Sequence, residues 1–116
     1  IKALIDVYGI TQDKQYLKAA EKLNKFVIDN FMDKSDNCFF DKIDNPDDIG
    51  FLKFRDKSII ENSIVATNLL KLSKIKNNKE YFKIAENILK AFHPEYKNYG
   101  MHGAIYGLAV EEFLST

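Results

Sequence analysis

The chain has 116 residues, 46% of them hydrophobic, with seventeen Lys and Arg set against seventeen Asp and Glu. That length fits one domain or part of a larger one, and that apolar content excludes a disordered segment. A formal net charge of zero removes the electrostatic case for nucleic acid or an anionic membrane as a partner, and no apolar run has the length of a bilayer span.

Residues 1–9 read as the end of an apolar helix, with Ala3, Leu4, Val7 and Tyr8 on one stripe. The start at Ile1-Lys2, with neither an initiator methionine nor a secretory leader, leads us to expect a fragment of a longer protein. Gly9 is the expected C-cap, because glycine takes the left-handed conformation without steric cost. Thr11-Gln12-Asp13 makes a turn, and Asp13 is an N-cap for the next helix. That helix covers 14–31. Tyr16, Leu17, Ala20, Leu23, Val27 and Phe31 form its apolar stripe, and Lys14, Lys18, Glu21, Lys22 and Lys25 its wet face.

From Met32 to Ile60 the period changes. The cluster from Asp33 to Asn37 predicts a turn. Cys38-Phe39-Phe40 suits a short strand. After a second turn cluster around Pro46 and Gly50, residues 51–55 suit its returning partner in a two-stranded ribbon. Cys38 is the only cysteine. It allows no internal disulfide and no thiolate metal cage, so a cytoplasmic home and no metal or cofactor are expected.

After Glu61-Asn62-Ser63 a second helix pair begins. Its first member continues to about residue 74 with apolar residues around most of its circumference, the mark of a helix buried on several sides. Asn77-Asn78 turns the chain. Residues 79–92 are amphipathic, and Pro94 ends that helix, because proline cannot continue the ladder. A tyrosine-bearing loop leads to a last helix over 101–114, where Gly103, Ala104 and Gly107 permit close approach of a neighbour.

Residues 10–25 and 75–90 superpose in sequence, Ile10 on Ile75 and Tyr16 on Tyr81. Ala20, Glu21 and Lys25 fall on Ala85, Glu86 and Lys90. The unit is a helix, a tight turn, a helix and then a long crossing. Tetratricopeptide repeats share the tight turn but recur at about 34 residues, without long crossings. The longer period here predicts a ring of helical hairpins: an all-α, partial (α/α) six-hairpin toroid. Hairpin 1 falls at 1–31, the crossing ribbon at 32–60, hairpin 2 at 61–92 and the start of a third at 101–114. Two and a half hairpins leave apolar ends, so we expect either further hairpins or self-association into a homo-oligomer.

Four stretches carry a family resemblance. They are the turn and helix entry from Gly9 to Leu17, then Cys38-Phe39-Phe40-Asp41, Phe54-Arg55-Asp56-Lys57, and the run from Glu61 to Leu70. Together they resemble the C-terminal region of thioredoxin-domain proteins related to spermatogenesis-associated protein 20. The resemblance implies an upstream thioredoxin-like domain and a six-hairpin toroid similar to N-acylglucosamine 2-epimerases and six-hairpin glycosidases. It departs where that family has Pro-Ser-Gly before Asn-Ser, because Ile60-Glu61 stands there in this chain.

In such a toroid the long crossings and adjoining helix N-termini share one face. Free N–H groups and the helix dipole make it receptive to hydroxyl-rich or anionic ligands. Asn62 and Ser63 are candidate ligand-binding residues, unless they cap their helix. Arg55 could clamp a carboxylate or phosphate, or pair with Asp41, Asp56 or Glu61. Glu61 and His102 are the candidate catalytic groups, an acid or base and a proton-transferring imidazole. Each has a plainer reading, as a first-turn dipole partner and as a structural histidine. Phe39, Phe40 and Tyr99 could form an aromatic wall for a sugar, although aromatics more often supply core. The function expected is sugar binding or sugar isomerisation. The alternative is a non-catalytic helical scaffold for a protein partner.

Overall fold

The computed structural model describes residues 1–41, 47, 49–50, 55–94, 100 and 102–115, with His102 described by its backbone. Among these residues the chain is all-α, with helices α1 (Lys2–Thr11), α2 (Lys14–Phe31), α3 (Ile59–Lys76), α4 (Lys79–Phe92) and α5 (His102–Leu114).

The two tight turns are built alike. Gln12 closes α1 in the left-handed conformation (φ 59°), and Asn77 closes α3 the same way (φ 53°). In each turn the very next residue then caps the following helix. Asp13 accepts from the Gln15 N–H, and Asn78 accepts from the N–H groups of Glu80 and Tyr81. Each cap satisfies donors that a helix start leaves open. Gly9, expected to end α1, lies inside it. The helix gains a further half turn because Gln12 N–H still reaches Tyr8 O at 2.8 Å. The start of α3 also moves. It begins at Ile59, with Ser58 as N-cap accepting from Glu61 N–H, so Glu61, Asn62 and Ser63 lie in the first turns of the helix and not before it.

The core is centred on α3, which packs broadly on α4 and α5 and more narrowly on α1. Leu69, Leu70 and Leu72 are fully buried, each worth about 1.5–3 kcal/mol of apolar burial. Leu70 and Leu69 join Ile84, Ile88, Leu89 and Phe92 of α4 and Ala109 of α5 in the main cluster. Leu72 faces the other way, into a smaller cluster with Ile5, Leu17 and Ala20. Tyr81 borders both clusters and so sits on the seam between hairpins. The repeat is visible in burial: Ala20 and Ala85, equivalent across the two units, are both completely covered. Tyr106 of α5 donates its hydroxyl to Leu89 O at 2.6 Å, and Phe82 stacks on Phe113 with ring centres 5.2 Å apart. Helices α1, α3 and α5 therefore form one layer, and α2 and α4 back it.

The expected ribbon is not seen among the described residues. Phe39 instead pairs with Met32 in an isolated antiparallel bridge. A short turn returns the chain at once, so α2's own end supplies the neighbour. The expected returning residues 51–54 lie outside the described residues. No helix among the described residues is long and apolar enough to cross a membrane.

Candidate functional site

The crossing after α2 begins with a tight reversal. The Asp33 carboxylate accepts from the N–H and hydroxyl of Ser35, and Asn37 takes the left-handed conformation (φ 63°). This lays Phe39 beside Met32. Phe40 N–H donates to Phe31 O and Asp33 N–H to Cys38 O, both at 2.8 Å. In this antiparallel register the N–H and C=O of Phe39 itself point away from Met32. Asn62 meets both. Its Oδ1 accepts from Phe39 N–H at 2.6 Å, and its Nδ2 donates to Phe39 O at 2.9 Å and to Ser58 O at 2.8 Å. One amide side chain thus stands where a third strand would.

Charged groups hold the outer side of the same turn. Lys57 Nζ donates to Asp33 Oδ2 and Asp36 Oδ2, both at 2.8 Å. The Lys57 hydrogen bond, aided by Ser35, holds the Asp33 carboxyl well below the usual carboxylate range. Burial pulls the Lys57 ammonium down, but its hydrogen bonds to Asp33 and Asp36 outweigh that and raise it. Between them Cys38 is buried. Burial first, and then the Asp36 charge, push its thiol up to about 11, which makes it a poor nucleophile near neutral pH. Phe40 lies outside, with the Arg55 guanidinium 3.8 Å and the Lys57 ammonium 4.8 Å from its ring centre. Asp41 and Asp56 then bind each other: Asp41 N–H donates to Asp56 O, and Asp56 N–H donates to Asp41 Oδ1.

Beside this crossing opens a cleft of about 170 Å³, lined by Val27, Phe31, Phe39, Phe40, Asp41, Glu61 and Val65. It brings together three residues singled out in the sequence, Phe39, Phe40 and Glu61, and adds a second carboxylate, Asp41. Glu61 is exposed at its rim. The cleft does not include Asn62 or Ser63, which are buried to 0% and 1% exposure. The Asn62 amide is taken up by Phe39 and Ser58. Phe39 is itself core, at 3% exposure, which leaves Phe40 as the accessible ring. Arg55 covers Phe40 from above. His102 opens α5 and is described by its backbone alone. Tyr99 lies outside the described residues. Among the described residues no group of three or more His, Cys, Asp or Glu side chains could hold a metal ion.

A second concavity was not foreseen. It lies where the N-terminal halves of α1, α3 and α5 meet, and is lined by Lys2, Ile64, Thr67, Asn68, Ile105 and Leu108. The sequence did carry a signal for it: an asparagine in the middle of a helix whose apolar residues wrap most of its circumference. Its amide has weak helix propensity and no reason to be buried unless something meets it.

No family model and no curated protein matches the chain. Among solved structures it is similar to a glycoside hydrolase family 76 mannosidase from Bacteroides thetaiotaomicron VPI-5482. The TM-score is 0.77 at 20% sequence identity, over 97% of this chain and 35% of the mannosidase chain. At that identity the likeness shows the fold, an (α/α) toroid. The chain spans about a third of its neighbour's length.

Two predictions follow from the crossing. Asn62→Leu leaves the Phe39 N–H and C=O unpaired in the interior, and we expect a loss of about 2–5 kcal/mol in urea denaturation, since each orphaned group costs about 1–3 kcal/mol. The second concerns acid. The Asp33 carboxyl titrates lower in the folded chain than in the unfolded chain. Its stabilisation is therefore complete above the ordinary carboxylate pKa of about 3.9 and fades as pH falls below it. In Lys57→Met the Asp33 carboxyl should move up towards its ordinary range by NMR titration, and stability should fall less steeply between neutral and acid pH. An unchanged acid profile would show that Lys57 does not set it.

Proposed function

We propose that the chain is part of a carbohydrate-related (α/α) toroid, one that binds or isomerises a sugar within a larger thioredoxin-domain protein. The observation that carries this reading is the correspondence of nearly the whole chain with a stretch of a mannosidase toroid. The crossing face adds chemistry suited to it. Glu61 and Asp41 stand at the rim of one cleft, and Phe40 offers a ring with cations around it. In this reading Glu61 and His102 serve proton transfer, and Arg55, Phe40 and Tyr99 contact the ligand. Further hairpins complete the site, so this portion binds sugar more readily than it turns sugar over.

A second reading is a helical scaffold without catalysis. What favours it is the crossing itself: Phe39 fills the space behind the cleft, and the Asn62 amide is committed to backbone. In either reading the terminal helices need neighbours. Ile10, Leu23 and Phe26 are exposed on the first hairpin, with Leu108 and Leu114 on α5, and we infer self-association or contact with the rest of the protein through them.

The two readings diverge in a titration of the chain with methyl α-D-mannopyranoside, methyl β-D-glucopyranoside and N-acetylglucosamine, followed by amide chemical shifts. Saturable shifts with at least one of them are expected; silence towards all three would favour the scaffold. Light scattering on the same sample should report a dimer or larger. A monomer with one cooperative thermal transition would remove the self-association.

A further inference from the structure

We propose that the groove between α4 and α5 is a two-fold interface at which a second copy of this chain docks, with its α4 and α5 antiparallel to those of the first. This rests on the self-association inferred above and gives it a face. It is independent of any sugar.

The groove follows from how the two helices meet. Both α4 and α5 pack broadly on α3 and only narrowly on each other. Their outer sides therefore diverge around a space of about 300 Å³. Buried Leu89 and Tyr106 and half-buried Val110 and Phe113 line it, with Leu114 at its edge, 76% exposed. The Tyr106 hydroxyl is engaged by Leu89 O, which leaves the floor apolar. Apolar surface gathered in one groove favours a partner that removes it from water.

The internal repeat shows that the row bordering this groove is one that packs against a helix. Glu86, Lys90 and His93 line the groove on the α4 side. Their equivalents in the first unit are Glu21, Lys25 and Ile28. Those share a concavity with Asn78, Glu80 and Tyr81 at the start of α4. In the first unit a helix of the same chain thus stands against the row. In the second unit that place is open among the described residues.

Charge selects a second copy as the occupant. The row runs from acid to base along α4, with Glu86 one turn before Lys90 and two turns before His93 on one face. Such a row complements itself when turned end for end. A two-fold axis passing between Leu89 and Lys90 sets Glu86 of each protomer opposite His93 of its partner. It also sets Leu89 opposite Lys90, whose methylene stem covers apolar surface while its ammonium stays in water. Glu86 accepts from Lys83 and Lys90 through Oε1, at 3.1 and 2.9 Å, and a carboxylate has acceptor sites beyond these two. The same axis lays the two α5 helices together, so that Phe113 and Leu114 of both protomers fill the shared space. An interface of this kind uses one patch on both subunits and closes at the dimer.

The test is sedimentation equilibrium of the full chain. A reversible dimer with a Kd of about 100 µM is expected, the scale of a small, weak interface. Leu114→Glu, at an exposed position, should weaken the dimer at least tenfold and leave the thermal midpoint of dilute protein unchanged. Glu86→Lys should weaken it about five- to tenfold, because two symmetric pairs are lost. Adding His93→Glu should restore most of that loss, since the exchanged charges again oppose each other across the axis. Leu23→Glu, on the exposed side of α2, should leave the dimer unchanged. A dimer that survives both Leu114→Glu and Glu86→Lys would overturn this face and leave self-association standing. Growth beyond the dimer, or no rescue in the double variant, would overturn the two-fold pairing. A monomer at every concentration would overturn the interface and the self-association together.

Discussion

The amide of Asn62 holds the backbone of Phe39, and the arrangement of the rest follows from that contact. The turn at Asp33–Asn37 pairs Phe39 with Met32 on one side only. Its free N–H and C=O would be buried orphans against α3, each costing about 1–3 kcal/mol. Asn62 satisfies both from within the first turns of α3. The long crossing is thereby fastened to the central helix, and the end of α2 is fixed relative to α3. Lys57 fastens the outer side of the same turn through Asp33 and Asp36. Cys38 is buried between these two fasteners, and that burial raises its thiol and keeps it protonated near neutral pH.

The polar residues of α3 then sort by what they meet. Ser58 and Asn62 serve the crossing, and Ser73 donates to Leu70 O. Ser63 Oγ and Asn68 Oδ1 are buried without a hydrogen-bond partner among the described residues, and Asn68 also lines a groove. A helix buried on several sides has little room for polar groups that do no structural work.

Layering explains where such grooves can form. With α2 and α4 behind α1 and α3, the far surface of the front layer is left to solvent or to the rest of a ring. Both concavities adjoin the N-terminal part of α3, one on the crossing side and one on the α1–α5 side. The two differ in chemistry. The crossing cleft has carboxylates and an aromatic ring, whereas the α1–α5 groove has amide, hydroxyl and ammonium groups.

The sequence by itself determined the all-α class, the two tight turns and the 65-residue repeat. These depend on local chemistry: capping by Asp13 and Asn78, helical spacing of apolar residues, and proline at the end of α4. It also showed that α3 was central, because its apolar residues wrap the helix. It placed Phe39, Phe40 and Glu61 near one another, since the crossing and the start of α3 adjoin in the chain. It could not tell that Phe39 would bond to Asn62, because that pairing joins residues 23 apart through a side chain and leaves no periodic trace. For the same reason Asn62 looked free to bind a ligand. The start of α3 was misjudged because Ser58 and Asn62 are both competent caps, and only the docking of the crossing decides between them. Asn68 looked like one more residue on an apolar helix. Only the meeting of α1, α3 and α5 around it shows that its oxygen lacks a partner, because satisfaction of a buried amide depends on neighbours distant in the chain.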